Sequence, residues 1–109
     1  MNKDDFDALF ASVRDFGWDP EKRDNNLRNH GVDFEDAKRI FDGYTFIHRS
    51  DRHGEIRYHI FGYVHGQEVA VACTLRGTTC RLISARRARR DERRKYYNRL
   101  TGLTEPGQD

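Results

Sequence analysis

The chain has 109 residues, 36% hydrophobic and 35% charged, with a net charge of +2 and two cysteines. That length makes one small domain with one modest core, and no apolar run approaches the roughly 20 residues of a membrane span. The acidic N-terminus carries no apolar signal-peptide stretch, so a cytoplasmic protein is expected.

Residues 4–15 place Phe6, Leu9, Phe10 and Val13 on one helical stripe among Asp4, Asp5, Asp7 and Asp15. This segment reads as a helical extension, 1–15, ahead of a single domain, 16–101. The stripe either packs on that domain or serves as an interaction helix that could make a homo-oligomer. Phe16-Gly17-Trp18 reads as a short strand. Asp19-Pro20-Glu21 starts a helix, with Asp as N-cap and Pro in the first position, and Gly31 offers the left-handed C-cap. Asp33 caps a second helix over 34–41.

The period then changes to two. A strand opens at Tyr44 to Ile47, Asp51 to Gly54 forms a polar loop, and Ile56 to Val64 continues as a strand. His65-Gly66 is a hairpin signal, Val69 to Leu75 returns, Arg76-Gly77 turns, and Cys80 to Ala85 comes back. That turn would set Cys73 opposite Cys80, slightly too far apart for an easy disulfide, so both are expected as free thiols. A last helix runs from about Ala88 to Leu100, and 102–109 reads as a flexible tail. The fold class is therefore α+β: a small antiparallel meander packed by N-terminal helices, with a basic C-terminal helix.

Charge is unevenly spread. Arg76 to Arg99 holds ten bases against two acids, whereas residues 1–75 hold ten bases against fourteen acids. The densest part, Arg86-Arg87-Ala88-Arg89-Arg90, follows directly on the last strand. So many like charges repel one another, and an anionic partner explains their presence.

No Gly-rich phosphate loop follows a strand, and Ser84 has no Gly-x-Ser-x-Gly elbow, so neither nucleotide-triphosphate chemistry nor a hydrolase triad is indicated. The histidines fall at no ligand-like spacing; no metal and no cofactor are expected. The remaining groups suit RNA. Cutting RNA without metal requires a base for the 2′-OH, cations for a dianionic phosphorane and an acid for the 5′-oxygen. Arg57 and Arg86 suit the second role, because a planar guanidinium grips two phosphate oxygens. Lys22 and His30 suit the proton transfers. Arg76, Arg81, Arg87, Arg89 and Arg90 are candidates for steering and holding RNA. Each has a plainer reading: Lys22 as a solvated helix residue, His30 as a partner for the last helix carbonyls, Arg57 as an exposed strand residue paired with Glu55. Histidines 48, 53, 59 and 65 read as ordinary, and only the arginine cluster resists a plain explanation.

Three blocks carry a family resemblance: Trp18-Asp19-Pro20-Glu21-Lys22 with Asn26, His30-Gly31-Val32 and Phe34; Gly54-Glu55, Arg57-Tyr58 and Gly62; and Ile83-Ser84-Ala85-Arg86-Arg87-Ala88 with Glu92-Arg93 and Tyr96. In order and spacing they resemble the BrnT family of type II toxin–antitoxin ribonucleases. The resemblance implies a RelE-like fold and a metal-independent endoribonuclease that inhibits translation. It implies a BrnA-type ribbon-helix-helix antitoxin as partner, with operator DNA reached only through that antitoxin. By this likeness Lys22, His30, Arg57 and Arg86 occupy the family's recurring polar positions. The chain departs from the pattern in its N-terminal extension and in Arg87, where the family usually has lysine. The alternative is a catalytically inactive homologue, acting as an antitoxin-bound corepressor or an RNA-binding module.

Overall fold

The computed structural model describes residues 3–102. Helix α1 spans Lys3–Ala11, strand β1 Asp15–Gly17, helix α2 Pro20–His30 and helix α3 Phe34–Ala37, which tightens into a 3-10 turn over Lys38–Asp42. Strands β2 (Phe46–Arg52), β3 (Glu55–Val64), β4 (Gln67–Arg76) and β5 (Thr79–Arg87) follow, then helix α4 (Arg90–Thr101). The part of the expected tail beyond Gly102 lies outside the described residues.

The local signals act as read. Asp19 and Asp33 each accept a backbone N–H two residues on, and Gly31 closes α2 in the left-handed conformation. Helix α1 ends earlier than the apolar stripe suggests, at Ala11. Val13 lies beyond it, its N–H donated to the Phe10 carbonyl. The stripe is seated on the domain: Phe6 is buried edge-on to Tyr58, and Phe10 stacks on Phe41.

The sheet order is β1-β5-β4-β3-β2. Strands β2 to β5 form the antiparallel meander, but β1 joins β5 in parallel, so the sheet is mixed rather than purely antiparallel. The cause is the next element: α2 continues along the same edge of β5, so the chain must run with that strand.

Two turns differ from expectation. The polar loop expected over 51–54 is shorter than that. Strand β2 runs on to Arg52, and His53-Gly54 forms a tight turn with φ of 51° and 73°, the positive pair of a type I′ hairpin. The next hairpin turns on Gly77-Thr78, one residue later than expected, with Arg76 facing Thr79. Cys80 therefore faces Leu75, and Cys73 lies diagonal to it. Both cysteines are free and fully buried, and the Cys73 thiol is pushed up by its Cys80 neighbour and by burial.

The first face of the sheet carries the main core: Ile47, Tyr58, Ile60, Val71, Cys73, Leu82 and Ala85, covered by Phe6, Phe34, Ala37 and Ile40. A Cβ on Gly62 would stand 2.8 Å from the Ile40 Cγ1, so the 3-10 turn seats on bare backbone. Among the described residues the second face is covered at one end only, where Tyr96 of α4 packs on Phe61 and Ala70, with Tyr44 and Phe46 at the margin. The Tyr96 hydroxyl donates to the Tyr44 carbonyl. The rest of that face is open.

Gly62→Ala is expected to lower stability by about 1–3 kcal/mol, the usual cost of overpacking, seen as a lower urea midpoint with unchanged slope.

Candidate RNA-binding site

Alternation along β3 sends Arg57, His59 and Phe61 to the open face, opposite Tyr58 and Ile60. On β4 and β5 the same face presents short side chains, Ala70, Ala72 and Ser84. Long residues around short ones leave a hollow of about 270 Å³, lined by Arg52, Arg57, His59, Ala70, Val71, Ala72, Ile83, Ser84 and Arg86. A register shift at Ala72/Cys73, where Cys73 pairs with Leu82 and Ala72 with Ser84, brings Ile83 to its rim.

Each inner arginine is held by a carboxylate. Arg86 donates from both terminal nitrogens to Glu92, at 2.8 and 3.0 Å, and also to the Arg87 carbonyl. Glu92 accepts the Arg89 backbone N–H as well, at 2.8 Å, which caps α4. These bonds, that to Arg86 foremost, hold the Glu92 carboxylate down at about 2. Arg57 donates through Nε to Glu55 at 3.2 Å, and Arg76 approaches the other oxygen of Glu55 at 3.6 Å. In both pairs the arginine retains further N–H groups for a second anion.

His59 is half-buried between these cations. Its pKa is lowered, first by burial and then by His48 and Arg86, with Glu92 opposing. At neutral pH the imidazole is therefore uncharged and able to accept a proton.

Lys22 and His30 stand apart from Arg57 and Arg86. Both lie on α2 and line a shallower hollow of about 250 Å³ with Asn25, Asn26, Asn29 and Ile83. Ile83 borders both hollows, so the four catalytic candidates form two adjoining pairs rather than one cluster. Asn26 fixes that arrangement. Its amide donates to the Ala85 carbonyl at 2.7 Å and accepts the Ala85 N–H at 3.0 Å.

Among the expected RNA-binding residues, alternation puts Arg81, opposite Thr74, on the open face with Arg76, beside the hollow. Arg87, Arg89 and Arg90 are exposed where β5 passes into α4, and Arg87 lies 3.9 Å from Glu68. Sequence reasoning passed over His59 and Arg52. The signal for His59 was present: it lies two residues from Arg57 on one strand, hence on the same face. Arg52 was hidden in the supposed loop.

The family model described as "Ribonuclease toxin, BrnT, of type II toxin-antitoxin system" matches residues 18–92. Among solved structures, the crystal structure of the Brucella abortus ribonuclease toxin BrnT matches with a TM-score of 0.55 at 24% identity. The match covers 72% of this chain and 100% of that one, and what it shows is the fold. No curated protein matches.

The Glu92–Arg86 pair sets a pH signature. The folded carboxylate titrates at about 2, below its ordinary 4.5. Its stabilising contribution is thus complete above about 4.5 and lost as the pH falls from there towards 2. Glu92→Gln is expected to cost about 1–2 kcal/mol at neutral pH and to flatten acid unfolding in that window, both read by denaturant melts across pH.

Proposed function

Because the chain belongs to the BrnT family of ribonuclease toxins of type II toxin–antitoxin systems, we propose that it is a cytoplasmic, metal-independent endoribonuclease that stops translation until a BrnA-type antitoxin binds it. One observation carries the mechanism: Arg52, Arg57, His59 and Arg86 converge on a single hollow.

The phosphate to be cut sits in that hollow, gripped by the free N–H groups of Arg57 and Arg86. His59 takes the 2′-OH proton, and the 2′-oxygen attacks the adjacent phosphorus. The dianionic phosphorane that forms is stabilised by the two guanidinium groups. The P–O5′ bond then breaks, leaving a 2′,3′-cyclic phosphate. The 5′-oxygen is protonated as it leaves, a role for which Lys22 or His30 of the adjoining hollow is the candidate. Arg87, Arg89 and Arg90 steer RNA to the face by long-range attraction, which weakens as salt rises.

Purified protein is expected to cut single-stranded RNA in EDTA, leaving cyclic-phosphate ends. Arg57→Ala with Arg86→Ala should abolish cleavage, and His59→Ala should slow it by about 10²–10⁴. Loss of all activity in EDTA, or full activity in the double variant, would overturn the mechanism.

The lowered pKa of His59 fixes the pH dependence. The base stays unprotonated to a lower pH than an ordinary imidazole. The acid limb of kcat/KM should therefore fall below the usual histidine value of about 6.5 and vanish in His59→Ala.

A further inference from the structure

Of the outer strand of the site face, β2, the phosphate chemistry uses only Arg52. Phe46 and His48 of β2 pair across the ladder with Phe61 and His59 of β3. The rings meet: Phe46 and Phe61 at 5.8 Å, His48 and Phe61 at 5.5 Å, His48 and His59 at 5.1 Å. Phe61 is buried, Phe46 and His59 are half-buried, and His48 is exposed. The set is thus a shelf that starts inside the arginine hollow, at His59, and ends one strand away on an open ring.

Cations bracket the shelf. Arg52 and Arg57 border it on the side of the hollow, and the Arg99 guanidinium of α4 lies 5.1 Å over the Phe46 ring at the other end. A flat, partly apolar surface with positive charge at both ends complements a nucleotide chain, whose bases are flat and whose phosphates lie on either side.

We propose that His48, backed by Phe61 and Phe46, is a stacking platform for a nucleobase next to the phosphate held in the hollow. The assignment rests on the ribonuclease reading and adds the subsite that reading lacks. Platforms of this kind hold single-stranded RNA, whose bases are free to stack, and tolerate different bases because every base has a π face. Paired RNA has no free base face to offer.

The test compares two short 2′-O-methyl strands of equal length, which the enzyme cannot cut: one carries bases and the other is abasic. Binding to the full chain is read by fluorescence anisotropy. Wild type should prefer the strand with bases by about tenfold, the scale of stacking one base. His48→Ala should lose most of that preference with little change in affinity for the abasic strand, and His48→Phe should keep it. Equal affinities, no binding to either strand, or a preference that survives His48→Ala would overturn the platform. A preference that behaves as expected in a protein that cuts no unmodified RNA would instead overturn the ribonuclease mechanism and leave the platform standing.

Discussion

The side-chain amide of Asn26 ties the two halves of the molecule together. Strand β1 pairs only with Thr79–Arg81, so the remainder of β5 would present an unpaired edge. Asn26 supplies what a further strand would have supplied at Ala85, one donor and one acceptor, and gives its other amide hydrogen to the Val32 carbonyl at 2.9 Å. The amide is buried, and a side chain lacking either group would leave buried backbone unsatisfied. Because Asn26 is in the middle of α2, this contact lays the whole helix along the β5 edge. Lys22 and His30 thereby come to flank Ile83, with Arg57 and Arg86 beyond it. The site is thus assembled by a contact between residues 59 apart in sequence.

The site's electrostatics follow from how its arginines are held. Glu92 orients Arg86, Glu55 orients Arg57, and Glu68 lies near both Arg87 and Arg93 while accepting the Tyr97 hydroxyl. Ion pairs on a surface contribute little stability, but a bidentate pair fixes direction. Burial first, then His48, Arg86 and Arg52, disfavour the charged form of His59, with Glu92 opposing. A phosphate entering the hollow brings negative charge close to that ring, and a nearby anion favours the protonated form. On the proposed mechanism the base would thus hold its proton weakly before RNA binds and more strongly once the phosphate is seated.

Much of this was legible locally. Asp19-Pro20, Gly31 and Asp33 act through neighbours a few residues away, so their reading needs no fold, and His65-Gly66 declares its own turn. Strand β2 was harder, because an edge strand carries charge on its exposed positions, and its end at Asp51 and Arg52 therefore reads as part of a loop. The Gly77-Thr78 turn was missed by one residue, since Gly77 can occupy either central position. Arg57 and Arg86 were legible as candidates from residue chemistry and family likeness. His59 was not, because a histidine acquires meaning only from what surrounds it. Here that environment comes from β2, β5 and α4 at once.

The open face also explains how so small a domain accommodates a site. A single sheet has two faces, and α1, α3 and the 3-10 turn spend their apolar residues on one of them. On the other, Tyr96 closes a minor cluster over Phe61 and Ala70, which anchors α4 by one aromatic residue and leaves Arg90 and Arg94 exposed. The hollow then depends on side-chain size as much as on charge. Ala70, Ala72 and Ser84 are too short to fill the space between β3 and the rim of β5. Were they the Val or Leu of an ordinary strand, Arg57 and Arg86 would lie over an apolar surface rather than around a cavity. On the proposed reading the basic tract draws in a polyanion, and the small residues on β4 and β5 leave room for a single phosphate between guanidinium groups, beside His59.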